Sequence, residues 1–152
     1  MSVKTTLYVH ENTLELIHDA CAITGKKRTE VIVMLLTRSL REASRDVTIG
    51  KSVRYQARDR AGRWRTIHVS FREDEADYCK DLRNFLKRSD SLILALAARA
   101  YLRGCIKKSC FDGWGDNYRF SNYIISREES EGLIFWKICW GFPKTPEAHF
   151  RL

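Results

Sequence analysis

Two short stretches decide how this chain is read: residues 4–10, KTTLYVH, and residues 66–72, TIHVSFR. In the first, Thr5, Leu7 and Val9 alternate with Lys4, Thr6 and Tyr8, the period of two that sets one row of side chains on a core and the other in solvent. In the second, Ile67, Val69 and Phe71 take the inner positions while Thr66, His68 and Ser70 face out, and Val9 falls on Phe71 at an offset of 62. Two half-buried strands are predicted.

The offset persists beyond the strands. Each is followed by an acidic, polar start and a helical stripe: ENTLELIHDACAI carries Leu14, Ile17 and Cys21, and EDEADYCKDLRNFL carries Ala76, Cys79, Leu82 and Phe85. Gly25 supplies a left-handed end to the first of these helices, whereas Lys87 stands at the matching place in the second. Then come KRTEVIVMLLTRSL and DSLILALAARAYL, apolar almost all round, which predicts second helices buried on more than one side. Asp19 matches Asp81, Thr29 matches Ser91, Ile32 matches Leu94, Leu40 matches Leu102 and Arg41 matches Arg103, all at the same offset without a gap. A register held through three elements points to a duplicated unit.

Charge is distributed unevenly between the units and what joins them. The 152-residue chain has a formal charge of +8. Residues 1–46 hold seven basic and six acidic side chains, 66–104 seven and six, and 105–152 seven and six, but 47–65 hold six against one. A basic excess suits a polyanion, though basic proteins also bind membranes and acidic proteins.

Other classes fit less well. Cys21, Cys79, Cys105, Cys110 and Cys139 are odd in number and contain no C-x-x-C pair, so neither a disulfide framework nor a zinc module is suggested, and reduced thiols in a cytoplasm fit best. Cys105 and Cys110 with His149 come nearest to a metal set, but their spacing is poor and no fourth ligand accompanies them. No metal or other cofactor is expected. No run approaches the roughly 18 apolar residues of a membrane helix, and the start MSVKTTLYVH is not a secretion signal. Glycine-rich nucleotide loops and nucleophile elbows are missing, and His10, His18, His68 and His149 are scattered, so the chain does not read as an enzyme.

A short amphipathic strand, a helix of about three turns, a tight turn and a second apolar helix within some 40 residues resemble the ribbon-helix-helix DNA-binding superfamily, with its MetJ-, Arc- and CopG-like repressors. The resemblance covers residues 3–45 and 64–104. It implies an α+β, mainly helical fold in which two units pair through an antiparallel two-stranded ribbon. Units this small need a partner to bury enough surface, and here the partner is either the other repeat or a second chain. The resemblance further implies that outward ribbon side chains read base edges of double-stranded DNA in the major groove: Lys4, Thr6 and Tyr8 from one repeat, Thr66, His68 and Ser70 from the other. Because the strands differ, the expected target is asymmetric. The family also holds phosphates at the start of the second helix, which here means Lys27, Arg28 and Thr29, and Ser89 and Ser91. Asp90 between the last two opposes an anion, with Lys87 and Arg88 close enough to offset it.

Four segments follow: unit one at 1–46, a basic connector at 47–65, unit two at 66–104 and a C-terminal extension at 105–152. Residues 51–71 are expected to form a β-hairpin with SVRYQAR and RWRTIHVSF as arms and DRAG as turn, in which Arg54, Arg58, Arg60, Arg63 and Arg65 interleave with Tyr55 and Trp64 for phosphate contact. After the turn-rich FDGWGDN, the stretches YRFSNYIIS and LIFWKICWG around REESEG predict a C-terminal hairpin. Ile134, Trp136, Ile138 and Trp140 would share a face packed on its own domain, or one open to a second copy or another protein. A transcriptional repressor, an antitoxin and a conjugation (relaxosome) accessory factor would all use the same ribbon, and the residues do not separate them. A protein-interaction module that kept the scaffold without DNA binding is the rival from another class.

Overall fold

The computed structural model describes residues 1–43, 53–57, 61–105, 107–111 and 123–140. The architecture is α+β: β1 (Ser2–His10), α1 (Glu11–Thr24), α2 (Arg28–Ala43), β2 (Trp64–Arg72), α3 (Glu73–Leu86), α4 (Asp90–Ala97), then β3 (Tyr123–Ser130) and β4 (Leu133–Trp140). A π-helical turn, Ala98–Leu102, prolongs α4, and a 3₁₀ turn spans Lys108–Phe111.

The bounds of β1 and α1 recur, at the offset of 62, as those of β2 and α3. Local chemistry explains the helix ends. His10 caps α1 by accepting the Asn12 N–H at Nδ1, 3.2 Å away, and Ser89 caps α4 by accepting the Leu92 N–H at 3.3 Å. At the start of α3 the Glu75 carboxylate accepts the Arg72 N–H at 2.9 Å. Gly25 ends α1 at φ 69, its N–H bonded to the Cys21 carbonyl. Lys87 ends α3 in the same left-handed region at φ 52, so the mismatch in residue type leaves the backbone turn unchanged.

Within this one chain β1 and β2 pair antiparallel, in a register from Ser2 opposite Arg72 to His10 opposite Trp64. The central pair is Thr6 with His68, which are themselves separated by the repeat offset. A local two-fold relation therefore runs through that pair and exchanges the two strands. The inner face of the ribbon buries Leu7, Val9, Ile67, Val69 and Phe71. Beneath it lie Ile17 and Ala20 of α1, Val31, Ile32, Leu35 and Leu36 of α2, Tyr78, Cys79, Leu82, Phe85 and Leu86 of α3, and Ile93, Leu94 and Ala97 of α4. They form one core shared by both halves, since α4 packs on α2 and lies against β1, and α1 packs on the Ala98–Leu102 turn. The Tyr78 hydroxyl donates toward the Leu36 and Thr37 carbonyls of α2, at 3.2 and 3.0 Å. Tyr78 falls outside the apolar stripe that the sequence predicts for α3, yet it is among the most deeply buried side chains.

Two expectations change. Among the described residues, the connector shows no hairpin of the kind expected at 51–71: β2 is laddered to β1, while Arg54 makes a parallel bridge with Arg88. Its N–H donates to the Lys87 carbonyl and its carbonyl accepts the Ser89 N–H, each at 2.8 Å. The physical reason is that the α3–α4 junction leaves backbone groups without helical partners, and an extended segment satisfies a donor and an acceptor at once. Ser52 and Arg58 of the proposed first arm, and Asp59 and Arg60 of the proposed turn, lie outside the described residues.

The C-terminal hairpin is present, but its loop is shorter than REESEG. Ser130 pairs with Leu133, leaving Glu131 and Gly132 as a two-residue turn at φ 52 and 76, the backbone that suits a tight hairpin. Arg127, Glu128 and Glu129 therefore belong to β3. Leu133, Ile134 and Phe135 are exposed, and the side chains of Trp136, Ile138 and Trp140 lie outside those described. Among the described residues, no helix is long and apolar enough to cross a membrane.

Candidate nucleic-acid interface

Alternation sends every second side chain of β1 and β2 away from the core, and directly opposed residues of an antiparallel pair share a face. Three cross-strand pairs result: Lys4 with Ser70, Thr6 with His68, and Tyr8 with Thr66. All six side chains are exposed. At the centre, Thr6 Oγ1 and His68 Nδ1 are 3.2 Å apart, in a hydrogen bond whose direction follows the imidazole tautomer. Tyr8 keeps 42% of its surface exposed, and Ser91 Oγ accepts its backbone N–H at 3.0 Å. That bond ties the start of α4 to the free edge of β1.

The sites named for phosphate contact are more heavily committed. In unit one Lys27 and Arg28 are exposed and Thr29 half-buried, but the Lys27 N–H donates to Glu30 Oε2 at 2.7 Å. A carboxylate thus holds the amide that a phosphate would use. In unit two the Ser89 hydroxyl caps α4, its N–H is bonded to Arg54, and the Ser91 hydroxyl is bonded to Tyr8. The Asp90 carboxyl is pushed above its ordinary pKa by burial, with the Arg83 guanidinium pulling it back. Its Oδ1 is buried without a hydrogen-bond partner among the described residues.

The connector arginines divide into three groups. Arg54 is held by its backbone with its side chain exposed, and Tyr55 beside it meets Arg83 at 3.2 Å. Arg63 and Arg65 converge on the Glu11 carboxylate at 3.3 and 3.9 Å, with 80% and 63% of their side-chain surface still exposed. Arg58 and Arg60 lie outside the described residues. Trp64 stands edge-on to His10, centroids 5.3 Å apart, at the end of the ribbon beyond Tyr8.

Among the thiols, Cys105 and Cys110 come within hydrogen-bond reach of each other, and burial together with that contact raises the Cys105 pKa. Burial raises the pKa of Cys79 to about 12, with Asp90 and Glu75 adding to it, and burial also raises that of Cys21. Among the described residues no group of three or more His, Cys, Asp or Glu side chains is placed to hold a metal ion. The repeat offset was legible before the structure, whereas the Thr6–His68 bond and the Ser91–Tyr8 tie needed the register. Comparison of the chain with protein-family models, with curated proteins and with solved structures gives no match.

Proposed function

We propose that the chain binds double-stranded DNA sequence-specifically, laying the outer face of the β1–β2 ribbon in the major groove in the manner of ribbon-helix-helix regulators. The observation that carries this reading is the row of three exposed polar cross-strand pairs, Lys4–Ser70, Thr6–His68 and Tyr8–Thr66, on a ribbon whose other face is braced by the core. A two-stranded ribbon fits the major groove, and these side chains supply the donors, acceptors and methyl groups that distinguish base pairs there. Lys27, Arg28 and Thr29 on one side, and Arg54 with Ser89 and Ser91 on the other, would flank the phosphates, with side-chain charge making the approach where the amides are taken. Regulation of transcription is the leading role, with a conjugation accessory factor or an antitoxin using the same face. The reading assigns no side chain a catalytic part.

Footprinting on the DNA flanking the chain's own gene tests it. A discrete protected stretch is expected, and diffuse or absent protection at low salt would overturn it. Replacing Arg58, Arg60 and Arg63 by Ala should flatten the dependence of log K on log salt by up to roughly 0.9 for each phosphate no longer neutralised. An unchanged slope would remove the connector from the interface.

The second reading, a protein-interaction module, is favoured by one observation: the Lys27 and Ser89 amides are already bonded within the chain, and Arg63 and Arg65 face Glu11. It predicts no binding to any duplex even at low salt.

A further inference from the structure

Resting on the reading of the ribbon as a major-groove probe, we propose that it reads its site in one fixed polarity, with guanine-bearing pairs under Lys4 and Ser70 and thymine methyls under Tyr8 and Thr66. Thr6 and His68 mark the divide. Because these two are both opposed and separated by the repeat offset, the local two-fold passes between them and exchanges Lys4 with Thr66 and Tyr8 with Ser70. In an assembly of identical chains such an exchange changes nothing, and the matching site is palindromic. Here it replaces an ammonium by a hydroxyl and a phenol by a hydroxyl.

The two ends therefore present different chemistry. At one, the three donors of Lys4 stand opposite the Ser70 hydroxyl, a set suited to the O6 and N7 acceptors of guanine. Arg72 lies beyond them opposite Ser2, but its guanidinium is paired with Asp74 and Glu75 at 3.3 and 3.2 Å, leaving Lys4, among the described residues, as the cation of that row with no carboxylate on it. At the other end the outward row is Tyr8 with Thr66 and then His10 with Trp64, without a lysine or arginine. An exposed ring and a Thr methyl suit the thymine methyl, and the hydroxyls suit adenine N6 and N7 or thymine O4. The rise from Lys4 to Tyr8 along the strand is about 13 Å, so the two readouts fall about four base-pair steps apart.

Selection of bound duplexes from a randomised library, at one fixed low salt concentration, tests the polarity with wild type, Lys4→Ala and the Tyr8→Ala/Thr66→Ala double variant. The side chains are exposed, and unchanged thermal unfolding would show each variant folded. A non-palindromic consensus is expected, in which Lys4→Ala loses about tenfold preference for guanine at one end and leaves the other end intact. The double variant should show the converse. Replacing thymine by uracil should weaken wild-type binding about fourfold per methyl touched, at the Tyr8 end alone. A palindromic consensus, or a Lys4→Ala weakening equal for all sequences, would overturn the polarity while leaving DNA binding in place. Failure to bind any duplex would overturn both.

Discussion

The two halves share the bounds of their strands and first helices but carry different side chains, and α4 gives way to a π-helical turn at Ala98 where α2 continues to Ala43. Along α2 stand Leu35 and Leu36; at the matching places α4 and its extension carry Ala97 and Ala98, and all four are buried. Since α2 and α4 pack on each other and all four residues belong to one core, large side chains on one helix and small ones on the other suit a division of its volume. Two identical chains could not divide the volume in this way, because each would have to supply both shapes. Joining the units in one chain frees each half from matching itself. The outer face of the ribbon shows the same divergence, with Lys4, Thr6 and Tyr8 set against Thr66, His68 and Ser70.

The sharpest way to break the comparison is to empty the large side. Leu36→Ala should cost about 2–5 kcal/mol in urea unfolding, from reduced burial plus the cavity left behind. Filling the small side restores sequence symmetry at the expense of packing: Ala98→Leu should cost about 1–3 kcal/mol, and a stabilised Ala98→Leu would mean that the division of volume is not real. The helix ends supply a gentler test. A Cβ at Gly25 meets nothing within 4 Å, so Gly25→Lys, which copies unit two, should cost only the left-handed strain of about 1 kcal/mol. Lys87→Gly should return up to a similar amount, measured as opposite shifts in unfolding temperature.

Asp90 gives the smallest effect and one dependent on pH. Burial raises its folded pKa above the unfolded value, so the native state binds the proton more tightly. Its stabilising contribution is complete below the unfolded carboxyl pKa and is lost as pH rises through the folded one. Asp90→Asn should therefore be more stable than wild type at neutral pH, with the advantage vanishing on acidification below about 4. An advantage independent of pH would show that the carboxylate charge is not what burial penalises.

Legibility in the sequence followed periodicity. The strands could be read because a period of two admits one assignment of faces, and the repeat offset held element by element because each half supports the other's interpretation. The six outward ribbon residues were legible for the same reason. The docking of Arg54 was not, since it satisfies backbone groups at the α3–α4 junction and leaves no trace in side-chain pattern. The short β3–β4 turn was hidden as well, because polar Arg127, Glu128 and Glu129 look like loop until Glu131 and Gly132 are seen to make the reversal.

Sequence alone determined the four helices, the two ribbon strands with their recurrence at an offset of 62, and the face each ribbon strand turns to solvent, because these follow from the spacing of apolar side chains along the chain. Tertiary structure decided that β1 and β2 pair with each other, that Thr6 meets His68 at the centre, and that the helix-start amides are claimed by Glu30 and Arg54. Most of these pairings join residues distant in sequence. They are fixed by which exposed donors, acceptors and apolar surfaces come within reach once the common core has closed.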